Sequence, residues 1–478
     1  MSIKVHPQIK HFIIMLAVIV VFWVCPPFHS SLTPLGMKLL GILIACCYGW
    51  CFGDIGWSSM LCLFAIPFTG AISINDLLAN SFGNNLVVFL IFVLMFGYLM
   101  EASGLIEFIA YWLLSRNFVS GKPWRLLLFF MIAAAIATAL AANVFMTQIF
   151  MFSLAVKILG TCGYKKGDTA AKVMITATTC ACMCGYFAFP WGGINIILLG
   201  AISSITGIEV NYVDFLMFSI PVAVATLLIY WLILRFIYRP DLTLLKNYDS
   251  SQIEPEKLIL SVQAKLVGAV LIAFVLILTI ASLFPQSPIG MLFNTLGMAG
   301  TLILVMLPLL FIKVGDKRVW SVPDTFRNGV NFESVLACAF LIPFGTLLSA
   351  EDAGVSSFFL ALLQPIMQNA TPFMIAMIIV IFAMILTQFM ANLTAAYIFL
   401  PMIYAMSLSI GFDPIVQSLL ACYGAHIAIL LPAASAYSAV THAHPWSSSS
   451  ATTKYGLGFF VTGFIVSIAA YFYLPIIF

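Results

Sequence analysis

Thr138-Ala139-Leu140-Ala141-Ala142-Asn143 is echoed by Thr387-Gln388-Phe389-Met390-Ala391-Asn392, and in both places a polar break interrupts a long apolar stretch. An asparagine side chain carries a carbonyl acceptor and two N–H donors, so leaving one unpaired in hydrocarbon costs on the order of several kcal/mol. Meeting that cost twice, in matching contexts, calls for a reason. Packing glue between helices is the simple one. The other is a binding site: duplicated polar breaks inside hydrophobic hairpins mark a secondary transporter whose cargo sits between two repeats.

The composition leaves little room for a soluble fold, because 63% of the residues are hydrophobic and 8% charged, where a soluble domain carries about 25% charged residues. Apolar stretches run from His11 almost to Phe478, each near the ~20 residues that a helix needs to cross a bilayer. The expected fold is an all-α polytopic membrane protein of about 11 transmembrane helices plus two re-entrant hairpins. Residues 1–34 hold an N-terminal segment and first helix. A first repeat covers 35–238, with a hairpin at 123–160 and a broken helix at 168–204. A cytoplasmic linker spans 239–261. A second repeat covers 262–478, with a hairpin at 371–410 and a broken helix at 413–441.

Basic residues collect on the cytoplasmic side of span ends. With the N-terminus inside, of the 20 Lys and Arg only Lys38 falls outside. That agreement requires each hairpin to enter and leave on one face, the first cytoplasmic and the second external. The chain is therefore expected to be multi-pass in the cell inner membrane, N-terminus cytoplasmic and C-terminus external. The repeat extends past the asparagines. Phe96-Gly97 matches Phe344-Gly345, Glu101 and Gly104 match Glu351 and Gly354, and Phe189-Pro190-Trp191-Gly192-Gly193-Ile194-Asn195 loosely matches Leu431-Pro432-Ala433-Ala434-Ser435-Ala436-Tyr437-Ser438. The two copies are inverted across the membrane, which lets one site face either side in turn. Each Glu-Gly pair marks a bend into a helix lying along the membrane surface.

These residues resemble the divalent anion:sodium symporter family of the ion transporter superfamily, over nearly the whole chain. Members carry Ser-Asn-Thr at each hairpin tip and a Thr-Pro-Pro-Asn type break in the helix that follows. Here the tips read Ala142-Asn143-Val144 and Ala391-Asn392-Leu393-Thr394, and the breaks Gly192-Gly193-Ile194-Asn195 and Ser435-Ala436-Tyr437-Ser438. Both asparagines match; the flanking hydroxyls do not. Thr138 and Thr387 match the family's hydroxyl position before each Asn.

The resemblance implies a homodimer in which hairpins and broken helices move as an elevator against a scaffold, carrying di- or tricarboxylates or sulfate with sodium or by anion exchange. It places the small anionic substrate at Asn143, Val144, Asn392, Leu393, Thr394, Gly193, Asn195, Ala436 and Ser438. It places the coupling ion, sodium, at Thr138, Ala142, Asn143, Trp191, Gly192, Thr387, Ala391, Asn392, Ala434 and Ser435. No other cofactor or metal is implied. With fewer hydroxyls at the tips, a hard cation finds fewer oxygen ligands, whereas the half-unit positive charge at a helix N-terminus still suits an anion.

His426, in the apolar run Ala425-His426-Ile427-Ala428, adds an ionisable group at membrane depth, which is a functional candidate by default. A protonatable cation there replaces a sodium ion; the alternative is a packing histidine. Cys180, Cys182 and Cys184 spread around a helix and read as small packing groups, not a metal site. His442, His444 and Ser447–Ser450 read as a cytoplasmic loop. No HExxH, P-loop or GxSxG pattern occurs, and basic residues follow the membrane face, so neither an enzyme nor a nucleic-acid binder is expected. An arsenite carrier or cation/proton antiporter of the same superfamily remains the alternative.

Overall fold

Hydroxyl, amide and carboxylate side chains mark where the helices start. Thr33, Asp54, Asn84, Asn211, Ser261, Ser287, Asn331, Thr371, Asp413 and Ser448 each accept a backbone N–H of the first turn that follows, which satisfies donors that a helix leaves unpaired. The computed structural model describes residues 6–141, 144–190, 193–367 and 370–478.

The first half runs α1 (Ile9–Val24), α2 (Pro34–Phe52), α3 (Ile55–Ala65), α4 (Ile74–Asn80), α5 (Asn85–Ala102) and α6 (Leu105–Leu114). The hairpin α7 (Pro123–Leu140) and α8 (Val144–Thr161) follows, then the broken pair α9 (Thr169–Ala188) and α10 (Gly193–Thr206), and α11 (Tyr212–Ile233). The second half runs α12 (Val262–Leu283), α13 (Pro288–Met306), α14 (Val322–Gly329), α15 (Phe332–Ser349) and α16 (Val355–Met367). Its hairpin is α17 (Pro372–Leu386) with α18 (Asn392–Tyr397) and α19 (Phe399–Ile410), its broken pair α20 (Pro414–Ala425) and α21 (Ala436–His442), and α22 (Ser449–Tyr473) closes the order. Among the described residues, 11 helices are long and apolar enough to cross a membrane. The chain is an all-α polytopic membrane protein built from two inverted repeats, each with a hairpin and a broken helix.

The repeats interlock. Gly104 (φ 78°) ends α5 and Gly354 (φ 67°) follows α15, a left-handed turn that favours glycine, and each redirects the chain into α6 or α16. The carbonyls before these turns are gripped by helix-capping hydroxyls from elsewhere: Ser261 Oγ donates to Ser103 O, and Thr33 Oγ1 donates to Asp352 O at 2.8 Å. Ser261 starts α12 and Thr33 starts α2, so the bend of each repeat is held by a span outside it.

Depth separates the helices. Along Thr169–Ala188, 89% of the best apolar window is buried, against 28% along Pro255–Leu283 and 33% along Pro288–Leu310. So α9 lies at the centre, and α12 and α13 face outward. The connection after α11 is not loose: Ser250 N donates to Ser120 Oγ and Tyr248 Oη donates to Leu114 O, tying it to the turn before α7. Sequence reading passed over a second folded connection, the short antiparallel pair Lys313–Val314 and Lys317–Arg318 with α14 behind it.

Candidate functional site

Four helices begin where hairpin or span is interrupted: α8, α10, α18 and α21. They pack crosswise, α8 with α21 and α18 with α10, so each hairpin meets the second half of the other repeat's broken helix. The arrangement gathers helix N-termini, which carry unpaired N–H groups and partial positive charge. Among the described residues, the side-chain bonds around these four starts involve amides, hydroxyls and histidines, with no Lys or Arg.

The two threonines of the opening motif do equivalent work. Thr138 Oγ1 reaches Cys182 O (3.1 Å) on α9, and Thr387 Oγ1 reaches Ala425 O (2.7 Å) at the end of α20. Each locks a hairpin to the broken helix of its own repeat. Thr387 Oγ1 also lies 3.0 Å from Asn392 Oδ1, so its one proton is shared between Ala425 O and that buried amide. Asn143, with Ala142, Trp191 and Gly192, lies outside the described residues. Val144 and Leu393 are buried, and Thr394 buries its hydroxyl with no hydrogen-bond partner among the described residues. Ala391 immediately precedes α18 with a non-helical backbone (φ −57°, ψ 139°), Gly193 is the first residue of α10, Ala434 is buried and Ala436 exposed.

Asn195 and Ser438 face backwards, toward the half-helix they follow. Asn195 Nδ2 donates to the carbonyls of Tyr186, Phe187 and Phe189, the last at 2.7 Å. Ser438 Oγ donates to Leu431 O at 2.7 Å and lies 3.4 Å from Ile429 O. Ending a helix strands carbonyls that in lipid have no water to turn to, and these two side chains collect them. A span hydroxyl completes each clasp: Ser219 on α11 donates to Ala188 O (2.6 Å), and Thr453 on α22 donates to Leu430 O (2.9 Å). Ser435 caps α21 through Ser438 N.

Sequence reading missed several groups in this network. Gln388 donates to Ile427 O and accepts from Leu430 N, so it spans the second break. Gln148 donates to Thr179 Oγ1, Tyr437 O and Thr441 Oγ1, joining the first hairpin to both broken helices. Both glutamines are buried polar residues near the asparagines, which was signal enough. His442, read as part of a loop, is the last residue of α21 and is buried. Its Nε2 lies 3.0 Å from Ile429 O, so it donates there, and Nδ1 accepts from Ser449 Oγ at 2.8 Å.

His426 ends α20 with Nδ1 2.8 Å from Cys422 O. A carbonyl accepts only, so Nδ1 carries the proton, and the buried Nε2 has no partner among the described residues. Tyr186 and Phe187 pack on the ring at 5.7 and 5.3 Å, and Tyr186 also lies 6.3 Å from Tyr437. A cavity of about 10 Å³ beside His426 is lined by Met183, Thr226 and Tyr423, roughly the room that one water needs.

A sequence model of the citrate transporter family matches residues 50–422. The chain belongs to the citrate transporter family. This places it in the ion transporter superfamily to which the asparagine motifs pointed. In fold, this citrate-transporter-family protein is similar to the Alcanivorax borkumensis YdaH transporter, with a TM-score of 0.59 and 15% identity over 99% of both chains. A comparison with curated proteins finds no match. As a family member with 11 apolar helices of spanning length among the described residues, it is a secondary transporter of the membrane.

Proposed function

We propose that the chain carries a small di- or tricarboxylate, or a sulfate-like divalent anion, across the inner membrane as a homodimer with an elevator movement. The observation that carries the reading is the crosswise meeting of four helix starts, two of them opening the broken pairs that Asn195 and Ser438 clasp. An anion held there meets N–H groups and amide dipoles, a weak and reversible grip suited to release. Membership of the citrate transporter family supports a carboxylate.

Sodium fits the described donors poorly. The carbonyls from Tyr186 to Phe189 and from Ala425 to Leu431 already receive hydrogen bonds in both breaks. The residues after the tip asparagines are Val144 and Leu393, where a hard cation would want oxygen. Anion exchange is the coupling we favour, since protonating the buried His426 Nε2, which has no partner among the described residues, would place an unpaired charge in the interior.

Purified protein titrated with citrate, succinate, sulfate and acetate, with and without sodium, tests the reading. Stabilisation by a multivalent anion independent of sodium is expected. Stabilisation by none of them, or by arsenite alone, would end the carboxylate reading. Asn143→Ala and Asn392→Ala are each expected to abolish uptake at unchanged expression; wild-type flux in either places the site elsewhere.

A further inference from the structure

A cavity of about 710 Å³ opens away from the hairpin and break network, between α10 and α11 on one side and α5, α12 and α13 on the other. That is within the range of small-molecule pockets, roughly 300–1,000 Å³. Its wall includes Asn85, Ser203, Glu209, Tyr212 and Asn294, none of which makes a side-chain hydrogen bond or ion pair among the described residues. Asn85, Glu209 and Asn294 are exposed and Ser203 and Tyr212 half-buried, so their polar atoms stand open to whatever enters the cavity. Its rim is closed by Asn211 Nδ2, which reaches Ser282 Oγ at 3.4 Å to join α11 to α12. In the wall, α13 departs from helical geometry at Gly297 (φ 63°, ψ −172°), where the Asn85 amide packs against the backbone.

The charge of the lining is one-sided. Glu209 supplies a carboxylate, and among the described residues no Lys or Arg lines the cavity. The helix order puts the mouth on the lysine-poor membrane face, together with Asp76, Asp214, Glu351, Asp352 and Asp413 and, among basic residues, Lys38. Such a field repels the anion proposed as cargo and draws cations in.

We propose that this cavity is a binding site for a primary ammonium group, seated on the Glu209 carboxylate and the Asn85 and Asn294 amide oxygens. An ammonium brings three donors and no acceptor, which matches one carboxylate and two carbonyl oxygens. The ligand is a free small amine or the ethanolamine head of a phospholipid. The lipid has a way in, since α12 and α13 bury the smallest shares of their apolar windows among the candidate spans.

The test is ligand binding to the full purified chain, which does not depend on its cargo or on its transport. Ethanolamine is expected to raise the unfolding midpoint, and choline, which has no N–H to donate, is not. Glu209→Gln is expected to weaken ethanolamine at least about tenfold, the size of a lost hydrogen bond to a charged group. The same variant should leave the response to multivalent anions as in wild type. Asn294→Leu should weaken ethanolamine as well. No shift with any primary amine, an equal shift with choline, or full affinity in Glu209→Gln overturns the site. Nanodiscs with phosphatidylethanolamine in place of phosphatidylcholine identify the source: competition with free ethanolamine assigns the site to the lipid, and its absence to the soluble amine.

Discussion

Asn195 and Ser438 sit one turn into the second half of a broken helix, and each turns back to collect carbonyls that the first half strands. Their chemistry differs because the load differs: the amide reaches three carbonyls and the hydroxyl two. Single polar bonds between membrane helices contribute about 0.6 kcal/mol on average, but stranding a buried carbonyl costs about 1–3 kcal/mol. Asn195→Ala is therefore expected to destabilise by about 2 kcal/mol or more, and Ser438→Ala by less, read as unfolding midpoints in detergent. Equal stability of Asn195→Ala and wild type would show that the clasp carries no load. Tyr397 presents the opposite case. Its hydroxyl is buried without a partner among the described residues, with the ring 6.3 Å from Trp50. Tyr397→Phe keeps the ring and removes the unpaired group, so a stabilisation of about 1 kcal/mol is expected; a lower midpoint would mean that the hydroxyl has a partner after all.

At the scale of elements, the second break is a side-chain-held strand as much as a gap between helices, and it ends in a folded turn. Past α21, His444 Nδ1 accepts Trp446 N–H at 3.2 Å while its ring packs on Phe152. Partial burial holds this imidazole below its ordinary range. The folded turn thus binds fewer protons than the unfolded chain, so its contribution is complete above about pH 6.5 and is lost as pH falls below that. The unfolding midpoint of wild type should drop between pH 7 and pH 5 by more than that of His444→Gln; parallel profiles would remove the histidine from the account. The sequence made the elements legible because hydrocarbon demands long apolar runs, and because Gly104 and Gly354 or Asn143 and Asn392 recur in step. It did not reveal that Asn195 and Ser438 point back at carbonyls, or that His442 folds onto Ile429. A side chain's direction at a helix break depends on a backbone path that no residue pattern encodes. The strand pair at Lys313–Arg318 was equally silent, being too short to show an alternating pattern.

For the whole molecule, the decisive geometry is the crossing of α10, which carries half of the first break, with α15, which belongs to the surrounding helices. The two lie close because Gly345 offers no side chain: a Cβ built there would sit 3.1 Å from Ser204 Cβ. A disulfide wants Cβ atoms about 3.5–4.5 Å apart, so Ser204→Cys with Gly345→Cys should bridge after a small local shift. The pair is best made with the exposed Cys25 replaced; the other thiols on these two helices reduce to the buried Cys338. If carriage requires α10 to slide past α15, oxidation should stop uptake while leaving substrate-induced stabilisation in place, and a reductant should restore uptake. The bridge acts on relative motion and leaves the tips and breaks untouched, so loss of binding would point to local damage instead. Undiminished uptake by the fully cross-linked protein would mean that α10 and α15 travel together, and the moving boundary would have to be drawn through other helices.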